Sequence, residues 1–426
     1  MTWTKRILWA ILGLAALAVL GAVVLTQFVN PDRYRGTIES AVRDATGREL
    51  QLKGKLQLSW FPWLAITTAD GRIAGAPGTP LLVSWREARV GARLLPLIAG
   101  RLVIDRIRAD GLVLRLHRDA SGRANWENPQ PATTNKSGSR PLTIAGLDLR
   151  DATLEYLDEA KGSRWQACHV DLTSSALLTQ QPVNMRGQLT VSFRDAVPCD
   201  SGLTAAFSAE YRAVPDGFEV RTLQLAFKQG GLQFAVPLLR ADTKTESFLL
   251  PSWNLGVGGG KVTGGPLRAT LVPALALGTP IEFDKLSLRE LAAALAVELP
   301  RSRDATVLGN IKGTASFTAY GTSMEFRSGQ LQVDDSQLKG YVRRGPDAAA
   351  PWEFDWQVDE LKLERYLPER DPSKPFKFPS EDLQKLQARG RLSVATLRLQ
   401  DIVARDAQVV LELQGGELRT VGDSGK

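Results

Sequence analysis

Alternation of apolar and polar residues constrains the fold of this chain more than any other feature. Within Leu50–Ser59, leucine occupies the even positions except Gly54, and glutamine, lysine and serine occupy the odd ones. Because successive side chains of a strand point to opposite faces, this period predicts strands with one apolar and one polar face. Gly54 lies where a bulge or tight turn would fall. We predict a mainly β body, which must hide its apolar face by forming a sandwich, a barrel or a lined channel.

The alternation returns along the chain as strand–turn–strand units without a fixed period. Leu102–Arg108 and Leu112–His117 flank Asp110-Gly111, a dipeptide typical of hairpin turns. Residues 128–141 are rich in Pro, Asn, Ser and Thr, which predicts a loop. Further strand candidates are residues 142–150, 152–156, 188–193, 204–211, 218–227, 231–236 and 390–413.

An uncharged apolar run lies at the N-terminus. Ile7–Leu25 has about the length that a helix needs to cross the hydrocarbon layer. Lys5 and Arg6 precede it and predict a cytoplasmic N-terminus by the positive-inside rule. A cleaved signal peptide is the alternative, but its apolar region is shorter and ends at a small-x-small site, whereas Ala16-Leu17-Ala18 lies mid-run. We predict a cytoplasmic segment at 1–6, a single-pass anchor at 7–29 and an extracytoplasmic body from Asn30. The anchor side chains are Ile7, Leu8, Ile11, Leu14, Leu17, Leu20 and Leu25.

Helix signals are few. Asp32–Thr46 is amphipathic and Gly47 is a natural stop, which predicts a short helix before the first strand. Ser287 and Glu290 form a capping box at the start of a second helix. Ser380–Arg389 has the pattern of a third.

No combination of residues predicts catalysis. The two histidines, His117 and His169, belong to no metal-binding motif. Cys168 and His169 are neighbours, but adjacent residues of a strand point to opposite faces and would not work together as nucleophile and base. Gly256–Thr263 departs from a phosphate-binding loop and is better explained as a glycine-rich turn between strands.

The acidic residues at 353, 355, 359 and 360 alternate with apolar ones, as on a strand with a solvated face. The net charge of +7 comes from scattered basic residues, which argues against a nucleic-acid interface. We therefore predict no enzyme activity, no cofactor, no metal and no nucleic-acid partner. Cys168 and Cys199 either bridge or remain buried thiols, and both alternatives stay open.

Five stretches stand in a fixed order along the chain: Thr46–Thr67, Arg72–Gly78, Val90–Trp126, Asp335–Pro368 and Leu383–Leu418. Together they resemble the AsmA family of inner-membrane proteins of Gram-negative bacteria. The residues that carry the family motif are Gly47, Leu52, Gly54, Leu56, Phe61, Pro62, Trp63, Leu95, Pro96, Leu97, Asn125 and Trp126. Longer members continue through more strands, so we expect a short member of the family.

The resemblance implies a fold and a function. The implied fold is an elongated, curved antiparallel sheet with an apolar groove, akin to TamB and the chorein-type lipid-bridge proteins, with a few short helices covering an edge or opening. An N-terminal portion at 30–127 and a loop at 128–141 would precede a β-rich periplasmic body at 142–426. The implied function is outer-membrane biogenesis, with phospholipid as cargo and periplasmic or outer-membrane proteins as partners. The alternatives are a factor that assists targeting of outer-membrane proteins and, more remotely, a periplasmic enzyme.

Overall fold

The chain is mainly β with few helices, as predicted. The computed structural model describes residues 31–59, 64–92, 103–127, 143–160, 162–176, 181–192, 202–270, 274–299, 301–347, 350–367, 386–399, 402–414 and 417–421. The predicted anchor at 7–29, the segment 1–6 and the loop at 128–141 lie outside these ranges. Within them, no helix has both the length and the apolar character that crossing a membrane requires. The chain divides into two compact units, one ending at Thr204 and one beginning at Ala205.

The N-terminal unit begins with helix and continues with strands. A 3-10 turn, Pro31–Tyr34, leads into α1, Arg35–Thr46. The described strands of this unit are β1 (Leu50–Leu52), β2 (Leu56–Ser59), β3 (Leu64–Ile73), β4 (Val83–Ala92), β5 (Val103–Asp110), β6 (Val113–Arg118), β7 (Thr143–Ile144), β8 (Leu147–Asp158), β9 (Ser163–Ser174) and β10 (Val183–Ser192).

Of the two alternatives predicted at Gly54, a bulge or a tight turn, the structure has the bulge. β1 and β2 both pair antiparallel with β3, so they form one strand interrupted at the glycine. The Gly54 N–H donates to the Ala69 carbonyl at 3.1 Å. A Cβ on Gly54 would lie 2.6 Å from the Ala69 Cβ, so the close approach of the two backbones requires glycine.

The hairpin predicted at Asp110-Gly111 is wrong. β5 and β6 both pair antiparallel with β4 and parallel with β8, so the chain continues in one direction past Gly111. Gly111 has φ +59°, which is the left-handed conformation that a turn or a bulge can use equally well. The dipeptide therefore marks a bulge within one long strand.

The C-terminal unit is a ladder of strands with two short helices, α2 (Leu288–Ala294) and α3 (Leu363–Tyr366). Its strands are β11 (Leu203–Val214, which starts just before the boundary), β12 (Gly217–Phe227), β13 (Gln233–Asp242), β14 (Ser247–Leu250), β15 (Trp253–Val257), β16 (Gly260–Gly264), β17 (Leu267–Thr270), β18 (Ala276–Leu286), β19 (Ile311–Tyr320), β20 (Ser323–Val333), β21 (Ser336–Arg344), β22 (Trp352–Lys362), β23 (Ala388–Leu399), β24 (Ile402–Gln414) and β25 (Glu417–Val421).

Pairing follows chain order in this unit. β11–β12 and β12–β13 are antiparallel, and β13 then pairs with both β14 and β15. β14–β17 and β15–β16 continue the ladder to β18, which pairs with both β16 and β17. From β18 to β25 each strand pairs with the next, and all these pairs are antiparallel except β22–β23. The crossover between those two parallel strands contains α3.

Local predictions in this unit are mostly confirmed. Gly258 and Gly259 form a left-handed turn between β15 and β16, as expected for a glycine-rich hairpin. The Ser287 hydroxyl accepts a hydrogen bond from the Glu290 N–H at 3.3 Å and caps α2. The helix predicted at Ser380–Arg389 is wrong at its C-terminal end, because strand β23 begins at Ala388; residues 380–385 lie outside the described ranges.

Candidate functional site

An extended apolar surface of the C-terminal unit lies on one face of strands β19–β24. Cross-strand pairing aligns a row of apolar residues, since paired residues point to the same face. The row consists of Phe317, Phe326, Val342, Phe354, Gly390 and Leu411. A second row, two residues further along each strand, consists of Ser328, Gly340, Trp356, Leu392 and Val409. We call these two rows the apolar face.

Aromatic contacts run across this face and beyond it. The ring centroids of Phe326 and Trp356 lie 6.4 Å apart, and those of Phe283 and Phe326 also lie 6.4 Å apart. Apart from Ser328, every side chain of the two rows is only half-buried. In a water-soluble fold such a sheet face is normally covered by a second layer. Here the side chains stay accessible to an apolar ligand.

One end of the face, which we call the closed end, is covered by α2, and the segment 301–310 is hydrogen-bonded to that helix from the Leu288 N–H to the Leu308 carbonyl at 2.8 Å. Leu288 and Leu291 of α2 pack on a buried core, while Leu295 just beyond the helix is 40% exposed. The buried residues of this core are Leu232, Val257, Val262, Leu286, Ala294, Ile311 and Leu331.

Asp334 holds the closed end together. Its carboxylate accepts hydrogen bonds from the backbone N–H groups of Leu308 (2.8 Å), Gly309 (3.2 Å) and Asn310 (3.3 Å). The Tyr366 hydroxyl of α3 donates to the same carboxylate at 2.8 Å. Burial, together with this carboxylate, raises the pKa of Tyr366 above its usual range. The buried carboxylate thus joins segment 301–310 to α3.

Arg365 adds an ion-pair network on the outside of the same end. Its guanidinium contacts Asp304 at 2.8 Å and Asp335 at 2.7 Å. Hydrogen bonds from the Thr306 side chain and backbone, and then from Arg365, lower the pKa of Asp304 to about 2. Arg365 and Tyr366 belong to the stretch that resembles AsmA. Through these contacts they connect α3 to the segment 301–310 and to the turn at Asp334-Asp335.

The opposite end of the face, which we call the open end, carries a third row. Ala319, Met324, Arg344, Ala388 and Leu413 are aligned there by cross-strand pairing, and Trp352 follows Arg344 in the same order. Arg344 is the sole charged residue of this row. Its guanidinium carbon lies 5.9 Å from the centre of the Trp352 ring, within cation–π distance.

In the N-terminal unit, α1 covers the outer edge of β1 and β2. Ile38 and Val42 pack on Leu50, Leu52 and Leu56, which are at most 6% exposed. Polar side chains of the helical segment bind the edge backbone directly. Arg35 donates to the carbonyls of Leu52 and Gly54, Glu39 accepts from the Leu52 N–H at 3.0 Å, and Asp32 accepts from the Leu56 N–H at 3.3 Å. A free strand edge is thereby satisfied without another strand.

The described motif residues have structural positions. Gly47 follows the last residue of α1 and has φ +69°, and its N–H donates to the backbone carbonyl of Arg43. Asn125 is fully buried and donates to the Arg115 carbonyl at 2.8 Å. Trp126 lies beneath the guanidinium of Arg118, with 5.3 Å between the guanidinium carbon and the ring centre. The remaining motif residues, Phe61, Pro62, Trp63, Leu95, Pro96 and Leu97, lie outside the described ranges.

The residues considered for chemistry are not brought together. His117 contacts Glu159 at 2.8 Å, whereas His169 is paired with Asp151 at 3.0 Å. Cys168 is disulfide-bonded, which resolves the alternative between bridge and thiol in favour of a bridge. Cys199, the only other cysteine of the sequence, lies outside the described ranges. Across the described chain, no group of three or more His, Cys, Asp or Glu residues could hold a metal ion.

The acidic strand has the predicted alternation only in part. In β22, Glu353 lies on the polar face and contacts Arg343 at 2.8 Å, whereas Glu360 lies on the same face as Trp356 and Val358 and contacts Arg398 at 2.7 Å. A concavity of about 570 Å³ crosses β20–β24, and its lining includes the amide side chains of Gln330, Gln357 and Gln408. Its lining also includes Lys339, Asp359, Ser393 and Asp406, and no histidine or cysteine.

Sequence reasoning missed two groups of residues. The first comprises Arg35 and Glu39, which an amphipathic pattern assigns to the solvated side of α1 although they bind the strand edge. The second is Arg344. It occupies the apolar phase of β21, two residues after Val342, and this break in the alternation was a signal available in the sequence.

Comparison with known proteins identifies the same family that the motif residues resemble. The model of the AsmA family matches residues 1–232. Protein AsmA of Escherichia coli (strain K12) is 26% identical over 176 residues, which cover 41% of this chain and 26% of that protein. The matched part is thus about a quarter of the length of that relative. No solved structure gives a significant match. Since the family model covers more than half of the sequence, the chain belongs to the AsmA family.

Proposed function

We propose that this protein is anchored in the inner membrane by residues 7–29 and acts in outer-membrane biogenesis by carrying phospholipid along its apolar face. The observation that carries this proposal is the half-buried apolar face of β19–β24, open at one end and covered at the other. Family membership supports the envelope role, and the apolar run Ile7–Leu25 supports the anchor and a periplasmic body.

The physical reason is desolvation. Each methylene of an acyl chain costs about 0.8 kcal/mol when it leaves an apolar environment for water. An acyl chain that lies against Phe326, Phe354 and Leu411 stays out of water while its polar headgroup remains solvated. Movement along the face then requires no covalent step and no catalytic residue.

Photo-crosslinking of the full chain in cells tests this function. A benzophenone amino acid replaces Phe326, which belongs to the apolar face. The matched control replaces Tyr341, an aromatic residue of the adjacent strand on the opposite face, where it packs against Arg327 and Arg343. We expect phospholipid adducts at position 326 and few at 341. Equal labelling at both positions, or none at 326, would contradict lipid carriage.

A second candidate function has one observation in its favour. β25 pairs only with Val410–Gln414, so the outer edge of Ile402–Val409 has no strand partner among the described residues. Ile402 and Val403 on this edge are 66% and 50% exposed. An extended peptide could add to this edge by β-augmentation, which fits a factor that assists targeting of outer-membrane proteins.

Crosslinking also separates the two functions. A photo-crosslinker at Val403 should capture unfolded outer-membrane protein chains if the second function operates. The matched control is Glu412, in the half of β24 that β25 covers. Protein adducts at 403 without lipid adducts at 326 would replace the first proposal by the second.

A further inference from the structure

Arg344 is out of place on the surface that surrounds it. It lies at the end of β21 and points to the same side as Val342, which belongs to the apolar face. Its neighbours across the strands are Met324 and Trp352. A guanidinium among apolar side chains is costly unless it is paired, because charge is poorly solvated there.

The structure leaves part of this guanidinium without a partner. The Arg344 Nε is buried and forms no hydrogen bond. No carboxylate of the described residues forms an ion pair with it. Buried polar groups are nearly always satisfied in native structures, so this N–H is a cost that the fold does not relieve. The two Nη groups of Arg344 are not buried without a partner, and an anion bound to them supplies charge-assisted hydrogen bonds and compensates the charge.

Arg343, the preceding residue, shows the normal arrangement. It points to the opposite face and contacts the Glu353 carboxylate at 2.8 Å through both Nε and Nη2. The two arginines therefore differ in their surroundings and not in chemistry. One has a carboxylate partner within the chain, and the other faces an apolar surface.

We propose that Arg344 binds the phosphate of a phospholipid whose acyl chain lies along the apolar face. This inference rests on the proposed lipid function and adds to it a headgroup site at the open end. The guanidinium forms charge-assisted hydrogen bonds with the phosphate oxygens. Trp352 beside it resembles the tryptophans that lie at headgroup level in membranes.

The length of the face fits this placement. Leu338, on the same side of β21, packs against the core of the closed end, six positions from Arg344. At about 3.3 Å per residue the two are separated by about 20 Å. One leaflet of a bilayer has a hydrocarbon thickness of about 15 Å, half of the whole core. An acyl chain that starts at Arg344 therefore ends before the covered end of the face.

Lipid binding by the full-length protein in detergent tests the site. The two probes are phosphatidylglycerol and diacylglycerol, both labelled on the acyl chain, because they share acyl chains and differ in the phosphate. The variants are Arg344→Met and the matched Arg343→Met. Methionine suits an apolar row. Its introduction removes the unsatisfied Nε, which offsets the lost cation–π contact with Trp352, so we expect the melting temperature of Arg344→Met to stay close to that of the wild type.

We expect Arg344→Met to weaken phosphatidylglycerol binding about tenfold or more and to leave diacylglycerol binding unchanged. Arg343→Met should change neither. Arg344→Lys retains the charge and should restore part of the phosphatidylglycerol affinity. A clear fall in the melting temperature of Arg344→Met would mean that the guanidinium has a hydrogen-bond or ion-pair partner within the chain besides its cation–π contact with Trp352, and would overturn the inference.

The remaining outcomes separate this inference from the proposed function. Phosphatidylglycerol binding that is unchanged in Arg344→Met overturns the headgroup site and leaves lipid carriage standing. Displacement of phosphatidylglycerol from the wild type by millimolar inorganic phosphate would identify a free-anion site and overturn the lipid assignment. Failure of the wild type to bind either lipid would remove the proposed function and the inference together.

Discussion

A helix covers an exposed part of the sheet in each unit: a strand edge in the N-terminal unit and the end of a sheet face in the C-terminal unit. The contacts that hold the two helices in place are different. In the N-terminal unit, α1 covers a strand edge, and Arg35, Glu39 and Asp32 bind backbone groups that another strand would otherwise bind. In the C-terminal unit, α2 covers the end of a sheet face with Leu288 and Leu291. The difference follows from what is exposed: an edge presents N–H and C=O groups, whereas a face presents side chains.

This comparison indicates where polar side chains matter for stability. At the edge they contact the strands themselves. At the closed end they connect the covering segments to one another, through Asp334 and Arg365, while apolar contacts hold α2 to the sheet. Substitutions that remove one type of contact should therefore affect the two units differently.

The largest effect is expected at Asp334. Asp334→Ala removes an acceptor shared by three backbone N–H groups and Tyr366, and leaves those partly buried donors without it. We expect a loss of roughly 3–5 kcal/mol in the free energy of unfolding of the C-terminal unit. Thermal or urea unfolding measures it. Asp335→Ala, at the neighbouring position whose side chain is 64% exposed, is the control and should cost far less. Equal losses of unfolding free energy in the two variants would mean that the Asp334 carboxylate does not connect the segment 301–310 to α3.

A smaller effect is expected at Arg35. Arg35→Met leaves the carbonyls of Leu52 and Gly54 without their donor, which should cost about 1–3 kcal/mol. It also exposes a strand edge, so the protein should self-associate at high concentration. Light scattering and thermal unfolding report the two effects. Arg33→Met, on the same helical segment but exposed, should show neither. A monomeric Arg35→Met protein of wild-type stability would show that α1 does not protect the edge.

Loss of the α2 cap should have a moderate effect. Ser287→Ala removes the acceptor for the Glu290 N–H and should cost about 1 kcal/mol. In a unit of this size, that corresponds to a fall in melting temperature of roughly 2–4 °C. Ser287→Asp retains a capping oxygen and should recover most of the loss. If both variants melt alike, the cap makes no contribution.

The smallest effect is expected at Asp304, which is partly exposed. Hydrogen bonds from Thr306 and Arg365 lower its pKa from 3.8 to about 2. A lowered folded-state pKa gives stability that is present above about pH 4 and disappears as the pH falls through about 2. Asp304→Asn should therefore remove part of the acid sensitivity of the segment 301–310. Hydrogen exchange of that segment at pH 5 and pH 2.5 measures this, and an identical response of both proteins would contradict it.

Local alternation predicted the strands because it reports directly on which face each side chain occupies. It identified β11, β12 and the strands at 390–413, and it located the bulge at Gly54. It could not distinguish a hairpin from a bulge at Asp110-Gly111, because both use a glycine with positive φ. The distinction depends on the pairing of β5 and β6 with β4 and β8, which is a non-local contact.

The candidate site was less predictable for a related reason. Which strand face is apolar can be inferred from sequence, but whether a helix covers it depends on the three-dimensional path of the chain. Arg344 and Arg343 are adjacent in sequence and identical in type. Only the strand register shows that Arg343 forms an ion pair with Glu353, whereas Arg344 lies beside Trp352 and has no carboxylate partner among the described residues.

The chain-order pairing of strands in the C-terminal unit has a consequence for how the unit folds. Because nearly every strand pairs with one that precedes it closely, most contacts are local, and such topologies fold faster than those with distant pairings. Each new strand can add to a template already formed as synthesis proceeds, much as a repeat protein grows from one end. The parallel step from β22 to β23 is the exception. Closing the connection at residues 363–387 carries a larger entropic cost than closing a short hairpin turn. We therefore expect folding to pause there, with β11–β22 already assembled, and pulse-labelling hydrogen exchange would detect that intermediate.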